Sequence, residues 1–256
     1  MQEYIHRGDM YEANFCMEFF AENAHIHPFE KFEKLTTISK APFTVFLKNN
    51  QQFLLSASPE RYLKKVGERL ISQPIKGTAQ RFLDAVEDEK SKNQLASDPK
   101  ERAENIMITD LVRNDLSRTA QQNSVQVEEL CAVYSFLQVH QMISTITSKL
   151  DSQYSVIEAI KNSFPMGSMT GAPKVSAMKI SEELEETKRG LYSGAVGYFT
   201  PTADFDFNVV IRSILYNQEN KYVSFSVGSA ITAQSVPEKE YEECILKAKA
   251  MSEVLS

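Results

Sequence analysis

The chain has 256 residues, of which 42% are hydrophobic and 24% charged, so it can bury a core as one large globular domain or two small ones. Its net charge of −6 and the lack of a long basic run argue against nucleic-acid and anionic-membrane partners. Three distant cysteines without a C-x-x-C pair, no membrane-length apolar run and no signal-peptide core predict a cytoplasmic protein without a cysteine-ligated zinc.

Strand patterns fill much of the first third of the chain. An aromatic-rich strand is predicted at residues 10–20, and an antiparallel meander at residues 42–78. Pro59 must mark an edge or a break of this meander, because a proline cannot sit in a central strand. Glu60 is thus placed at a strand end, where it is either an exposed carboxylate or a functional side chain.

Lys76 lies at the end of the predicted meander, between Pro74-Ile75 and Gly77. The proline stiffens the backbone and the glycine allows a ligand to approach closely, so the lysine is presented to its surroundings. A lysine becomes a nucleophile when desolvation or a nearby cation lowers its pKa. Considered alone, Lys76 is more often a surface residue of a turn.

Helical periodicity extends over residues 82–119, with Asp98-Pro99 as a cap and a first-turn proline. The predicted core stripe consists of Ala103, Ile106, Met107, Leu111 and Leu116. On another face Glu101 and Glu104 are three residues apart, so the two carboxylates repel unless a cation lies between them. A solvated acidic face is the alternative.

Residues 125–147 alternate as strands and place His140 among apolar neighbours, where a hydrogen-bonded core histidine is more common than a catalyst. A short helix is predicted at residues 155–162. The glycine-bearing loop 164–174 then leads into a helix at residues 175–186. This loop does not match a phosphate-binding loop, but the amides of its helix N-terminus and the hydroxyl of Thr170 suit an anion such as a carboxylate.

The last third returns to strands at residues 195–200, 205–216 and 222–227, followed by a small-residue turn at 228–230 and a helix at 238–255. Arg212 falls inside the second strand, where an arginine is paired or awaits an anionic ligand. In the final helix Glu240, Glu243 and Lys247 share one face. Two glutamate pairs without nearby histidine or cysteine suit Mg²⁺, although spacing alone does not show that the pairs meet.

These segments together closely resemble the chorismate-utilising enzyme family. The matching segments occur in family order and cover nearly the whole chain: Gly8-Asp9 to Asn14, Ser58-Pro59-Glu60-Arg61, Pro74 to Thr78, Arg102-Ala103-Glu104-Asn105, residues 110–118, 167–174 and 189–198, Ile211-Arg212, and residues 235–243. The resemblance implies an α+β fold with two large antiparallel β-sheets in a sandwich and helices outside, formed by residues 1–256 as one chorismate-binding catalytic domain. It also suggests that an upstream portion of the usual large subunit is absent.

The resemblance further implies a Mg²⁺ site and a set of residues around chorismate. Glu104 and Glu243 are the leading metal ligands, with Glu101 and Glu240 binding directly or through water. Glu60 is the expected general acid for the departing 4-hydroxyl group. The expected substrate-binding residues are Thr170, Tyr192, Arg212, Gly228, Lys247, Gly77 and Thr78, with His140 at the ring.

Lys76 distinguishes the reactions of the family. Members that make anthranilate look like P-I-A-G-T at this place, whereas members that aminate C4 of chorismate look like P-I-K-G-T, as this chain does. The resemblance therefore implies a product of 4-amino-4-deoxychorismate, the precursor of p-aminobenzoate in folate synthesis. A glutamine amidotransferase partner is expected to supply the ammonia, because no glutaminase signature is identifiable here.

Two alternatives remain, namely a large subunit that makes anthranilate and a catalytically silent chorismate-binding module. Two departures from the family pattern, at Glu12 and Ala230, together with the short N-terminus favour the second of these. Glu12 stands where amine-using relatives usually have glutamine and water-using relatives lysine. Ala230 replaces a glycine of a glycine-alanine-glycine turn, and Gln234 stands where many relatives have aspartate.

Overall fold

Two antiparallel sheets, each with its own helices, alternate along the chain. The computed structural model describes all residues, Met1–Ser256. A first unit contains Met1–Glu60, Met169–Val196 and Asn208–Ser256, and a second unit contains Arg61–Ser168 and Gly197–Phe207. The expected α+β fold class with two antiparallel sheets is confirmed.

In chain order the elements are α1 (Gln2–His6), β1 (Glu12–Ala21), α2 (Pro28–Ser39), β2 (Phe43–Asn49), β3 (Gln52–Ser58), β4 (Arg61–Val66), β5 (Arg69–Gln73), β6 (Ile75–Gln80), α3 (Ala85–Ser97), α4 (Pro99–Ser117), β7 (Gln126–Ser135), β8 (Val139–Lys149), α5 (Val156–Ser163), a 3-10 turn (Gly167–Met169), β9 (Gly171–Ala172), α6 (Lys174–Leu184), β10 (Ala195–Phe199), β11 (Phe205–Val209), β12 (Ser213–Asn217), β13 (Tyr222–Ile231) and α7 (Pro237–Leu255). None of these helices combines the length and the hydropathy needed to cross a lipid bilayer.

The sheet of the first unit has the strand order β2-β3-β12-β13-β1-β9. β1 pairs with β13 from Ala13 to Ala21, but with β9 only at Glu12 and Ala13. Every second residue of β3 faces the core, because side chains alternate along a strand. These side chains join α2 and α7 in a cluster that includes Leu35, Leu55, Ile214, Phe225 and Met251.

The sheet of the second unit is organised around β8. One edge of β8 pairs with β7, and the other pairs with β5 and β6 in succession. The β5 and β6 pairings are in continuous register, since Ile71 faces Thr147 and Ile75 faces Ile143. The register then shifts by one residue between Ile75 and Thr78. This shift is a β-bulge, which re-aims the side chains of the bulged strand.

Two strand predictions were wrong for the same reason, which is that each predicted run is divided between the two sheets. The meander predicted at residues 42–78 is divided, since β2 and β3 belong to the first sheet and β4 to β6 to the second. The break falls at Pro59, which has no N–H to donate to a ladder. The single strand predicted at residues 205–216 is likewise divided into β11 and β12. Arg212, with a φ of 51°, therefore lies at a break between strands.

Among the predictions for turns and helices, some are confirmed and others are wrong. The turn predicted at residues 228–230 is part of β13, and α1 and α2 were not predicted. The buried face of α4 consists of Asn105, Ile108, Thr109, Val112, Asp115 and Leu116, so the predicted apolar stripe was mostly wrong and Ile106 is exposed. The Asp98 cap is confirmed, because its carboxylate accepts the Glu101 N–H at 3.0 Å. The final helix is also confirmed.

Candidate active site

Lys76 and Gly77 occupy the bulge of β6 in the second unit. Gly77 has a φ of 93°, in the left-handed region that favours glycine. A Cβ atom at Gly77 would lie 3.1 Å from Glu101 Oε2, so the strand backbone packs directly against the first turn of α4. The Lys76 side chain is 13% exposed, and its Nζ lies 4.0 Å from Glu104 Oε2. The second unit therefore brings together Lys76, Gly77 and both glutamates of α4.

Asn105 fastens this part of α4 to the sheet. Its Nδ2 donates to the carbonyl oxygens of Lys76 at 3.4 Å and Met142 at 3.2 Å. Its Oδ1 accepts from the Ser144 hydroxyl, which in turn accepts the Cys131 N–H at 2.9 Å. Sequence reasoning missed this role, although a polar residue directly after Glu104 in a helix with apolar periodicity was a usable signal.

His140 is buried at the start of β8, in the same unit, with both ring nitrogens engaged. Nδ1 lies 2.9 Å from the Ser135 hydroxyl and Nε2 lies 3.0 Å from Asp88 Oδ1. The Arg81 guanidinium, followed by the Phe82 N–H, holds the pKa of Asp88 well below its usual range. These contacts match the interpretation of His140 as a hydrogen-bonded core residue. Its contact with a substrate ring stays a prediction.

Arg212 is the leading candidate for an anion site in the first unit. Its guanidinium is partly buried, and burial lowers its pKa. Only one protein hydrogen bond involves it, from Nη1 to the Lys247 carbonyl at 3.1 Å, and no carboxylate lies within ion-pair distance. A guanidinium has five N–H donors, and one with so few protein acceptors fits an incoming carboxylate in a bidentate manner.

Tyr192 and Gly228 lie in the same unit and share a contact with Cys16. The Tyr192 side chain is 5% exposed, and burial raises the pKa of its phenol far above the ordinary value, so the O–H remains a neutral donor. Gly228 faces Cys16 across the β1–β13 ladder. A Cβ atom at Gly228 would lie 2.9 Å from Cys16 Sγ and 2.8 Å from Asn14 Nδ2, so both side chains would have to shift to admit a larger residue.

The predicted face of α7 divides into two environments. Glu240 is buried and accepts a hydrogen bond from the Ser229 hydroxyl of β13. Glu243 is exposed and pairs with Lys247 Nζ at 2.5 Å. The same Nζ donates to the Gly228 carbonyl at 2.8 Å. Lys247 thus links the glutamate of α7 to the strand that carries Gly228.

Glu60 and Thr170 are buried residues of the first unit. The Glu60 N–H donates to Ser58 Oγ at 3.2 Å and its carbonyl accepts the Val209 N–H at 3.1 Å, so the backbone after β3 is held in place. The Thr170 carbonyl accepts the Asn14 N–H at 2.7 Å. Thr78, which follows the bulge in the second unit, is exposed. The catalytic and substrate-binding roles of these residues stay predictions.

Each unit contains one of the two glutamate pairs expected to bind Mg²⁺. The carboxylates of α4 and those of α7 offer oxygen ligands, which Mg²⁺ prefers. Cations already face them: Lys76 and Lys100 lie 4.0 Å and 3.8 Å from Glu104, and Lys247 contacts Glu243. The oxygen donors of each set are of the kind that a hard divalent cation binds, but each helix contributes only two carboxylates to its set. No group of three or more His, Cys, Asp or Glu side chains that could hold a metal ion occurs in residues 1–256.

The three cysteines are buried and unoxidised. Burial raises the pKa of the Cys16 thiol to about 12 and also raises those of Cys131 and Cys244. A cysteine nucleophile requires the opposite shift, toward the thiolate. None of the three thiols is therefore suited to attack the amide of glutamine.

The chain is similar in sequence to several known proteins. A sequence model of the family described as chorismate binding enzyme matches residues 1–253. Aminodeoxychorismate synthase component 1 of Escherichia coli is 40% identical over 95% of this chain and 53% of its own length. Anthranilate synthase component 1 of Aquifex aeolicus is 35% identical over 99% of this chain and 51% of its own length.

A solved structure shares the fold over nearly the whole chain. The structure of anthranilate synthase component I from Streptococcus pneumoniae superposes with a TM-score of 0.88 at 32% identity, covering 98% of this chain and 55% of that chain. The chain thus spans about half the length of these three relatives.

Proposed function

Because the chain belongs to the family of chorismate binding enzymes, whose sequence model matches residues 1–253, we propose that it aminates chorismate at C4 with ammonia to give 4-amino-4-deoxychorismate. Such a product serves p-aminobenzoate and folate synthesis. The E. coli relative named aminodeoxychorismate synthase component 1 supports this assignment over 95% of the chain.

The placement of Lys76 carries the proposal. A β-bulge directs its side chain toward the carboxylates of α4, with Nζ 4.0 Å from Glu104, so the amine is held at one position and partly withdrawn from water. A lysine amine held in this way is a nucleophile that can form a covalent intermediate. An alanine at the same position, as in the pattern of anthranilate-forming relatives, offers no such group.

In the proposed reaction the deprotonated Lys76 amine adds to C2 of chorismate. Both ring double bonds shift around the ring away from C2, the C4–O bond breaks, and Glu60 protonates the departing hydroxyl so that it leaves as water. Ammonia then attacks C4, both double bonds shift back and the C2–N bond to lysine breaks, while the proton lost by the entering ammonia balances the one taken up by the leaving Lys76 amine. Because lysine occupies C2 during the reaction, ammonia is directed to C4.

The first unit supplies groups for the remaining parts of the substrate. Arg212 and Tyr192 bind the enolpyruvyl carboxylate, and the amides near Gly228 and the Lys247 ammonium assist them. Thr170 and His140 contact the ring, and Gly77 and Thr78 line the surface beside the nucleophile. The single protein acceptor of the Arg212 guanidinium supports this assignment, because a cation withdrawn from water needs an anionic partner.

Glu104 and Glu243 are the proposed Mg²⁺ ligands, with Glu101 and Glu240 bound directly or through water. Bound there, Mg²⁺ would hold the ring carboxylate of chorismate. The oxygen-only donors of α4 and α7, each with a lysine ammonium nearby, support this choice of cation.

Ammonia comes from a separate glutamine amidotransferase subunit. Two observations support a partner of this kind: the three thiols of this chain have raised pKa values, and the E. coli relative is named as a component 1. The unoxidised thiols also suit the reducing cytoplasm.

Intact-mass analysis during turnover tests the proposal. The protein is incubated with chorismate, Mg²⁺ and an ammonium salt, and a chorismate-derived adduct is expected in the wild type but not in the Lys76→Ala variant. Lys100→Ala is the matched control, since it also removes an ammonium near Glu104 but is not the nucleophile. Direct formation of fluorescent anthranilate would establish the alternative reaction. Binding without consumption of chorismate would identify a silent binding module.

A further inference from the structure

The outer edge of β1 lacks a strand partner beyond Ala13, because β9 pairs with it only at Glu12 and Ala13. An ion pair takes the place of that strand. The Arg189 Nη2 donates to the Asn14 carbonyl at 2.8 Å, and the Cys16 N–H donates to Glu185 Oε1 at 2.9 Å. Two successive outward-facing backbone groups of β1 are therefore satisfied by side chains.

The ion pair itself is bidentate and largely withdrawn from water. Arg189 Nε lies 2.8 Å from Glu185 Oε2, and Nη2 lies 2.6 Å from Oε1. The side chains of Arg189 and Glu185 are 19% and 7% exposed. Paired N–H···O bonds of this fork geometry fix the orientation of both partners.

The same pair contacts the backbone of two other segments that carry proposed substrate-binding residues. Arg189 Nη1 donates to the Met169 carbonyl at 2.6 Å, directly before Thr170. The Arg189 carbonyl accepts the Tyr192 N–H at 3.0 Å. The guanidinium and its carboxylate therefore connect the Met169 segment with Asn14 and Cys16 of β1, and they anchor the residue whose backbone carbonyl holds Tyr192.

We propose that Arg189 and Glu185 are positioning residues that hold Thr170, Tyr192 and the Gly228 backbone in the geometry that binds chorismate. The proposal rests on the assigned substrate-binding roles of those three residues. Gly228 is included because it packs against Asn14 and Cys16, whose backbone groups the pair holds. Neither Arg189 nor Glu185 touches the substrate.

Alkylation of Cys16 tests whether the ion pair holds the edge of β1, and this measurement does not depend on catalysis. In Glu185→Ala and Arg189→Lys, the edge of β1 opens locally, and iodoacetamide is expected to modify Cys16 at least about tenfold faster than in the wild type, as followed by peptide mass spectrometry. Cys131, in the second unit, is the internal control for global unfolding. Glu182→Ala and Lys188→Arg are the matched controls, since those residues form an exposed ion pair beside the buried one.

Steady-state kinetics test the functional half. The KM for chorismate is expected to rise about tenfold or more in Glu185→Ala and Arg189→Lys, while kcat stays within about twofold, because substrate binding is displaced and the Lys76 step is not. A role confined to folding would reduce the active fraction and the apparent kcat at unchanged KM.

Three outcomes would overturn the proposal. The first is alkylation of Cys16 at the wild-type rate in both variants, and the second is an equal increase in the alkylation rates of Cys16 and Cys131. The third is an unchanged KM for chorismate. If the wild type itself does not consume chorismate, the proposed function fails and chorismate has no part in the positioning role. The alkylation rates then still decide whether the pair holds the edge of β1.

Discussion

Replacing Arg212 by methionine separates ligand binding from fold stability. In the folded protein the guanidinium makes one hydrogen bond, to the Lys247 carbonyl, and has no ion-pair partner. Loss of that bond costs about 1 kcal/mol. Removing a charge that is withdrawn from water stabilises the folded protein by a similar free energy, since an uncompensated cation is costly to desolvate. The free energy of unfolding is therefore expected to change by no more than about 1 kcal/mol.

The effect on chorismate binding should be far larger. A bidentate contact of Arg212 with a carboxylate consists of two charge-assisted hydrogen bonds, each contributing about 1.5–3 kcal/mol. Their loss weakens binding by at least about 3 kcal/mol, which corresponds to roughly 150-fold in Kd. Titration calorimetry with chorismate and Mg²⁺ measures this change in a Lys76→Ala background, in which substrate is not consumed.

Arg189→Met is the matched control for the same substitution in the same unit. Arg189 has a buried carboxylate partner, so its replacement leaves Glu185 uncompensated and is expected to cost about 3–5 kcal/mol in urea unfolding. A loss of more than about 2 kcal/mol in Arg212→Met, or chorismate affinity within about threefold of the parent, would refute the reasoning about Arg212.

Three further outcomes are expected in the second unit. Gly77→Ala places a side chain at a φ of 93° and should lower the unfolding free energy by about 1–3 kcal/mol in urea titrations. Asn105→Ala leaves the Lys76 carbonyl without its amide donor and should cost about 2–4 kcal/mol, whereas an unchanged midpoint would show that water replaces the amide. The pKa of Asp88 is depressed by Arg81, so its contribution to stability is complete above its unfolded pKa of about 3.9 and is lost as pH falls below it. Asp88→Asn should flatten that decline in urea unfolding measured from pH 6 to about pH 3.

Local patterns were sufficient for most individual elements of this fold. The strand character of β3, the Asp98 cap and the final helix depend on neighbouring residues, and each is confirmed. The family pattern named Lys76 and the glutamates of α4 as site residues, and the structure places Lys76 Nζ 4.0 Å from Glu104 Oε2.

What the sequence left unpredicted depends on pairings between distant segments. The positive φ of Arg212 arises where the chain leaves one sheet for the other, and nothing in the run of apolar residues around it signals that break. The prediction of the buried face of α4 was wrong because hydrophobic periodicity places only apolar residues inside. In the structure the polar residues Asn105 and Thr109 are buried by contact with β8. The partner of Arg189 at the edge of β1 lies in a segment 175 residues away.

The ion pair at the edge of β1 also has a consequence for association between copies of the chain. β1 is rich in aromatic and apolar residues, including Phe15, Met17 and Phe19. An exposed strand edge of this composition is a template on which another strand can pair and aggregate. Arg189 and Glu185 occupy two of the backbone groups that such a strand would use. Variants that lose the pair should therefore form more insoluble aggregate during expression, even where the purified remainder is folded.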